Sequence, residues 1–445
     1  MVLFPIWGVE MAWFFGAIKQ GFKGRAALAV LMAGALALSG CMGSGPTRQA
    51  RKSKPAQRAV ASQPIDNPEM ASEGMPAGEV LGSPLAGPVS APLGGATIGN
   101  GHVKVALLLP LSGSSQGAMV AQSMRNAADL ALSEFQGSDL SILVKDDRGT
   151  PEGAQAAASQ ALSEGAQLII GPLFAGSVQA AGQVARQAGK PLIGFSSDRA
   201  SATQGVYLLS FMVQAEVDRI IAYAASQNRR SIAALIPDTA YGRVAETQLR
   251  EAAVENGMRV VAIERYPAGQ PQGAVQRLAQ VIGGPAPQVD ALFIPDNGDG
   301  LPTVAQALQT IRFNAQRVQP LGTGVWDEAR VFGLPALQGG WFAAPDKRGF
   351  MDFAARYRAR FNNNPVRLAT LSYDAVTLAA ALARMQGPQA FNDSVLTNGA
   401  GFAGADGVFR FNPNGTNDRA LTVQQIQGGT AAVIDTAPRA LMAHN

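Results

Sequence analysis

The feature that most constrains this chain is the alternation, from residue 103 onward, of short apolar runs with amphipathic stretches of helical period. Few polar residues interrupt the apolar runs, which is typical of strands buried on both faces of a parallel sheet. The predicted strands are 103–109, 141–145, 167–170, 191–194, 231–236, 259–263, 291–294 and 320–322. The predicted helices include 123–135, 153–164, 178–188, 215–226, 242–256, 304–312, 349–361 and 371–385. The alternation predicts an α/β fold with mostly parallel sheets that helices cover on both faces.

The number of strand–helix units indicates the architecture. Eight units make either one large sheet or two smaller ones, and the short turns favour two doubly wound lobes with a ligand cleft between them. Near the end of the chain, residues 407–411 and 421–427 have the pattern of an antiparallel pair. The turn residues Asn412-Pro413-Asn414-Gly415 stand between them and predict a hairpin.

The segment before the folded domain has the features of an export signal. Three cations at residues 19–25 precede a 13-residue apolar run, 26–38, which is too short to span a bilayer. The sequence Leu38-Ser39-Gly40-Cys41 then resembles the bacterial lipobox, in which the cysteine receives a diacylglycerol and becomes the new amino terminus. We therefore expect a lipid on Cys41. By resemblance to enterobacterial lipoproteins, Met42 at the next position favours the outer membrane.

The predicted domain boundaries follow from these changes in composition. Residues after the cysteine are rich in Pro, Ala, Gly and Ser and show no apolar periodicity, which is typical of a flexible tether. We expect a signal peptide at 1–40, the lipidated cysteine and its tether at 41–101, and the folded domain at 102–438. The first lobe is expected at about 102–212 and 345–404, and the second at about 213–344 and 405–438.

Charge and residue usage exclude several functions. The formal net charge is +4, and only +1 of it lies after residue 101, so the domain has no basic surface of the size that nucleic-acid binding needs. The chain has one cysteine and two histidines, His102 and His444, which flank the predicted domain. No Ser–His–Asp, Cys–His or Cys/His metal arrangement can be built inside the fold from these residues. We expect a protein that is not an enzyme and needs no cofactor.

The candidate binding residues lie in loops after strands. Three loops, 111–117, 171–177 and 196–198, carry hydroxyl residues just before helices, the first two together with glycine, so they can present backbone N–H groups and hydroxyls to an anion. The alternative is that these hydroxyl residues only cap the helices. Asp146 and Asp147 are adjacent and predict a turn, and Asp296 begins a polar loop that lacks the glutamate of a calcium site.

These motifs resemble the type I periplasmic-binding family, of the Leu/Ile/Val-binding type. The resemblance is carried by residues 105–113, Ile169-Ile170-Gly171-Pro172, 191–197, Tyr241 with the residues just before it, and 402–411. It implies a two-lobed fold and a small amino-acid-like ligand. The ligand-binding candidates from the loops and from the resemblance are Ser112, Ser177, Ser196, Ser197, Tyr241 and Asp296. Asp198 departs from the residue types that amino-acid binders of this family have at this position. Its negative charge would oppose a ligand carboxylate.

The lipobox, the long tether, Gly-Pro-Leu-Phe and Gly-Phe-Ser-Ser-Asp together resemble one branch of this superfamily, the penicillin-binding protein activators. That resemblance implies a lipoprotein on the periplasmic face of the outer membrane that stimulates a bifunctional penicillin-binding protein, a peptidoglycan synthase. The alternative function is the substrate-binding lipoprotein of an ABC transporter for amino acids or amides. Binding of a solute by the purified protein would favour the alternative.

Overall fold

The structure is a computed structural model that describes residues 96–441. The export signal, the proposed lipid-attachment residue Cys41 and most of the tether lie outside these residues. The described chain forms two lobes, each built on its own sheet, together with a third sheet of three strands. The two-lobed, mostly parallel α/β fold expected from the sequence is confirmed. Among the helices of residues 96–441, none combines the length and apolar character that crossing a membrane requires.

The first lobe contains a six-stranded sheet. Its strands are β1 (Thr97–Ile98), β2 (Val103–Leu109), β3 (Leu140–Asp146), β4 (Ile169–Ile170), β5 (Leu192–Gly194) and β6 (Val206–Leu208). The connecting helices are α1 (Ser115–Glu134), α2 (Pro151–Ser163) and α3 (Ala175–Gln187). The strand order is β1-β3-β2-β4-β5-β6, and only β1 runs antiparallel to its neighbour. Two apolar clusters, one centred on Leu107 and one on Leu108, cover the opposite faces of this sheet.

The second lobe begins with α4 (Val213–Ser226) and continues the alternation. Its central strands are β7 (Ser231–Pro237), β8 (Arg259–Tyr266), β9 (Ala291–Phe293), β10 (Gln319–Gly322) and β11 (Trp341–Ala344). The accompanying helices are α5 (Ala240–Glu255), α6 (Gln272–Ile282), α7 (Leu301–Thr310) and α8 (Ala329–Phe332). These strands are parallel, and all of them except the half-buried edge strand β8 are buried. Apolar clusters again fill both faces of the sheet.

The remaining chain returns to both lobes. Helices α9 (Lys347–Phe361), α10 (Ala369–Gln386) and α11 (Asp393–Leu396) precede the three-stranded sheet β12 (Phe402–Gly404), β13 (Gly407–Phe411) and β14 (Asn417–Arg419). Strands β15 (Thr422–Gln427) and β16 (Thr430–Asp435) then extend the second sheet, whose order becomes β16-β15-β11-β10-β9-β7-β8. The chain crosses between the lobes three times, near residues 209–212, 345–346 and 420–421.

The predicted pairing of 407–411 with 421–427 is wrong. The hairpin turn forms, but β13 pairs with β14, whereas β15 pairs antiparallel with β11 in the second lobe. The partner strand β14 has the sequence Asn-Asp-Arg, so no apolar pattern in the sequence predicted this strand. Phe409 and Phe411 lie in the core of the first lobe, which therefore extends to about residue 419 instead of the expected 404.

Charged side chains bind the segments at the crossings. Arg367, just before α10, donates hydrogen bonds from Nη1 and Nη2 to the two carboxylate oxygens of the buried Asp406, at 2.8 and 2.7 Å. The guanidinium groups of Arg367 and Arg419 lie over the ring of Phe211, 4.5 and 5.1 Å from its centroid. From the first lobe, Lys347 at the start of α9 reaches Asp327 of the second lobe, with Nζ 2.5 Å from Oδ1.

Candidate functional site

The first lobe brings three predicted loops to one edge of its sheet. Strands β2, β4 and β5 are neighbours and parallel, so the loops that follow them meet at their carboxyl ends, where ligands of α/β sheets bind. The N–H of Phe195 donates to the carbonyl of Pro172 at 2.9 Å and ties two of these loops together. Ser112, Ser177, Ser196 and Ser197 all lie in or directly after these loops.

Ser112 is exposed, and Asp146 holds it in place. Its hydroxyl and its N–H both donate to the Asp146 carboxylate, the N–H at 3.2 Å. The adjacent Asp147 points into the protein, where burial raises its pKa to about 7 and the Gly149 N–H donates to it. The two carboxylates therefore have separate structural surroundings, and the hydroxyl oxygen of Ser112 can still accept a hydrogen bond.

Ser177 lies in the first turn of α3 and not in the loop before it. The helix begins at Ala175, earlier than the predicted residue 178, because the small residues of the loop adopt helical geometry. Phe174 precedes the helix and gives no side-chain cap, so the first N–H groups of α3 have no side-chain acceptor. Ser177 is 1% exposed, and its Oγ has no hydrogen-bond partner among the described residues. A helix start of this kind attracts anions.

Ser196 and Ser197 follow β5. The buried Ser196 Oγ accepts a hydrogen bond from the N–H of Asp198 at 3.0 Å, and Ser197 is half-buried beside it. The carboxylate of Asp198 accepts from the N–H of Ala200 at 2.9 Å and so caps the short helical turn Arg199–Ser201. This local role explains an acid at a position where the sequence alone indicated only repulsion of a ligand carboxylate.

On the second lobe, Tyr241 lies in the first turn of α5, which Thr239 caps through the N–H of Gly242 at 3.0 Å. The Tyr241 hydroxyl and the Oγ1 of Thr323, after β10, are 2.6 Å apart and share a hydrogen bond. Burial raises the pKa of Tyr241 well above its usual value, and the nearby charge of Glu216 raises it further. Thr323 was not predicted as a site residue.

Asp296 follows β9 and lies on the loop beside that of Thr323. Its carboxylate accepts the hydroxyl of Tyr266 at 2.6 Å and the N–H of Asn297 at 2.8 Å. Burial raises its pKa, and these hydrogen bonds offset part of the rise. Within residues 96–441 no three His, Cys, Asp or Glu side chains converge as a metal site would require. Tyr266, at the carboxyl end of β8, is a second residue that the sequence analysis did not select.

Glu216 is a third candidate that the sequence analysis did not select. It lies in the first turn of α4, and the N–H of Gly324 donates to it at 2.9 Å. Burial raises the pKa of Glu216 to about 7. The Gly324 N–H and the charge of Arg367 lower this pKa in part, and the charge of Asp327 raises it. An acid in a first helical turn usually only complements the helix dipole, so nothing in its local sequence marks it as a site residue.

The two lobes present different groups at these loops. Hydroxyls and an uncapped helix start lie on the first lobe, and carboxylates with tyrosine hydroxyls lie on the second. The single histidine of the described chain, His102, is exposed and bonded to Asp139, outside these loops. Groups of these kinds can hold the carboxylate and the amine of a small zwitterion.

A family model described as "Periplasmic binding protein" matches residues 102–431, well over half of the chain. Members of this family and the similar solved structures are binding proteins, and the family indicates a periplasmic location. No curated protein sequence matches the chain significantly.

Solved structures show the same fold. A protein from Rhodospirillum rubrum, assigned to a branched-chain amino acid ABC transporter, is 19% identical with a TM-score of 0.66. The match covers 75% of this chain and 99% of that protein. An ABC transporter solute-binding protein from Rhodopseudomonas palustris, in complex with 3,4-dihydroxybenzoic acid, is 20% identical with a TM-score of 0.53. The match covers 75% of this chain and 96% of that protein. A substrate-binding protein from Desulfitobacterium hafniense, in complex with Leu, is 20% identical with a TM-score of 0.53. The match covers 75% of this chain and 99% of that protein.

These findings correct the expected function. The sequence resemblance implied an activator of a bifunctional penicillin-binding protein, and that expectation is wrong. The family model carries no such assignment, and the similar structures are described as transporter binding proteins for amino acids or aromatic acids. They favour the alternative, a substrate-binding protein of an ABC transporter.

Proposed function

The chain belongs to the periplasmic binding protein family, and on that premise we propose that it captures a small amino-acid-like solute for an ABC transporter. Relatives of the same fold that bind Leu or aromatic acids support this proposal. The proposal assigns the chain to solute capture and not to catalysis.

The observation that carries the proposal is the complementarity of the two lobes. The first lobe offers the uncapped start of α3 and two serine loops, which suit a carboxylate. The second lobe offers the buried Asp296 with its tyrosine donor, which suits an amine. We assign the ligand contacts to Ser112, Ser177, Ser196, Ser197, Tyr241 and Asp296, with Thr323 and Tyr266 in support.

Thermal melting of the purified chain tests this function. Amino acids, benzoate and 3,4-dihydroxybenzoate form the ligand panel. A ligand at 100 times its Kd stabilises the folded state by about 2.7 kcal/mol, which raises the Tm by several degrees. Ser197→Ala should reduce the shift, and Ser226→Ala, an exposed serine at the far end of α4, should not. A panel without any shift would refute solute capture.

A lipid on Cys41 is the second part of the proposal. Two or more acyl chains hold a protein stably on a membrane, and the 60-residue tether after Cys41 would let the domain move over roughly 40 Å. Metabolic labelling with an alkyne fatty acid tests the anchor. Label on the wild type and none on Cys41→Ala is expected, and equal labelling would refute it. Separating the two membranes on a density gradient tests the outer-membrane location that Met42 favours.

A further inference from the structure

We infer that the solute carries a second cationic nitrogen, as a basic amino acid does, and that the Glu216 carboxylate receives it. This inference rests on the proposed function and adds the charge class of the ligand. It assigns to Glu216 a contact that decides specificity, beyond the amine contact proposed for Asp296.

Glu216 lies directly behind the second lobe's ligand face. Gly324, whose N–H donates to Glu216, follows Thr323, and Thr323 shares a hydrogen bond with Tyr241. A Cβ on Gly324 would stand 2.6 Å from Glu216 Oε1, so only glycine lets the carboxylate come this near. The side chain is not fully enclosed, since the glutamate is 8% exposed.

Within residues 96–441 the Glu216 carboxylate forms no ion pair, although the charge of Arg367 offsets part of the rise in its pKa. Among the described residues its one hydrogen-bond donor is the neutral N–H of Gly324. A carboxylate that is buried without a positive partner is costly. The nearby cations are engaged elsewhere, because Arg367 donates both terminal nitrogens to Asp406 and Lys347 pairs with Asp327.

Asp296 is likewise a buried carboxylate whose hydrogen-bond donors are neutral. It is 8% exposed, and its donors, the hydroxyl of Tyr266 and the N–H of Asn297, are both neutral. The second lobe therefore presents two carboxylates that form no ion pair with any described residue, and Tyr241 lies within the electrostatic reach of both. A ligand with a single amine would neutralise one of them and leave the other buried and unpaired.

The first lobe supplies an independent observation on the other end of the ligand. The buried Ser177 Oγ has no hydrogen-bond partner among the described residues, and it lies in the uncapped first turn of α3. These groups suit one carboxylate. A molecule with one carboxylate and two cationic nitrogens complements both lobes, and basic amino acids have this composition.

The protonation of Glu216 adds a measurable consequence. Burial raises its pKa to about 7, and the groups that face it are the Gly324 N–H, Arg367, Asp327 and Tyr241. Around neutral pH part of the ligand-free protein therefore carries a proton on this carboxyl. A bound cation favours the ionised form, so binding should release that proton.

Isothermal titration of the full chain at pH 7 tests the inference with two matched pairs, L-lysine against L-norleucine and L-arginine against L-citrulline. The cationic member should bind at least about tenfold more tightly. Glu216→Gln should weaken lysine binding at least about tenfold and change norleucine binding by less than about twofold. Asp218→Asn, the same neutralisation on the same helix at a residue bonded to Gln248, should keep the wild-type preference. Titration in two buffers of different ionisation enthalpy should show more proton release on lysine binding by the wild type than by Glu216→Gln.

The outcomes separate the two proposals. If norleucine and citrulline bind as tightly as lysine and arginine, the inference is overturned while solute capture stands. If Glu216→Gln keeps the wild-type preference, the role of Glu216 is overturned. If none of the four binds, the basic ligand is overturned, and a melting shift with 3,4-dihydroxybenzoate would then still support solute capture.

Discussion

Replacing Glu216 by Gln should stabilise the folded protein at alkaline pH and should change how its stability depends on pH. The wild-type carboxyl has its pKa raised from 4.5 to about 7 because it is buried. The folded state therefore holds the proton to a higher pH than the unfolded chain does. The stabilisation from this group is fully present below about pH 4.5 and is lost as the pH rises through about 7.

The magnitude follows from the two pKa values. Each unit of pKa difference corresponds to about 1.4 kcal/mol, so the full effect is about 3 kcal/mol. Between pH 5 and pH 8 the wild type should lose about 2.5 kcal/mol of unfolding free energy through this one group. Glutamine cannot ionise, so the variant should not lose it. The stability of Glu216→Gln minus that of the wild type should therefore rise by about 2.5 kcal/mol over this range.

Guanidinium unfolding at pH 5 and pH 8 measures this difference, with the fluorescence of the buried Trp326 and Trp341 as the signal. Taking the difference cancels other buried acids, such as Asp147 and Asp374, whose pKa values burial also raises to about 7. A substitution that removes no ionisable group, Ser226→Ala, should give a difference that is constant with pH. A constant difference for Glu216→Gln as well would refute the argument.

Three further substitutions test the packing that positions the lobes, each by guanidinium unfolding. Gly415→Ala should destabilise the fold by about 2–4 kcal/mol, because φ is +87° and the new Cβ would lie 2.3 Å from the carbonyl oxygen of Val206. Asp406→Asn should cost about 2–4 kcal/mol, since it leaves Arg367 without its buried carboxylate. Thr239→Ala should cost about 1 kcal/mol by removing the cap of α5.

Each of these substitutions has a matched control. Gly257→Ala also places a side chain at positive φ, +64°, but in open space, so it should cost only about 1 kcal/mol. Asp238→Asn breaks an exposed ion pair with Arg243 and should change stability by less than about 0.5 kcal/mol. Thr239→Ser keeps the capping hydroxyl and should be nearly neutral. Controls as costly as their test variants would contradict the packing described here.

The central strands could be predicted because they are buried on both faces. Strand β2 has the predicted bounds, 103–109, since its apolar run is nearly continuous. Helix α1 begins at Ser115, well before the predicted residue 123, because its first turns carry no apolar period of helical spacing. Strands β6 and β11 were not predicted. The sequence of β14 has no apolar residue, and only its pairing with β13 defines it.

The candidate site could be proposed from the sequence in its loops and not beyond them. Ser112, Ser196 and Ser197 follow strands, where hydroxyl residues between a strand and a helix indicate binding. Glu216 becomes a site residue only through Gly324, 108 positions later in the sequence. Thr323 and Tyr266 likewise depend on partners on other strands, which no local pattern contains.

The interleaving of the two lobes has a consequence for when the chain can fold. The core of the first lobe includes Phe409 and Phe411, and the sheet of the second is completed by β15 and β16, so both lobes need the end of the chain. Neither core can close while the ribosome is still making the first 400 residues. A polypeptide with this order of synthesis keeps its apolar strands uncovered until it is nearly finished. That delay favours an export route that accepts unfolded chains, with folding completed after translocation.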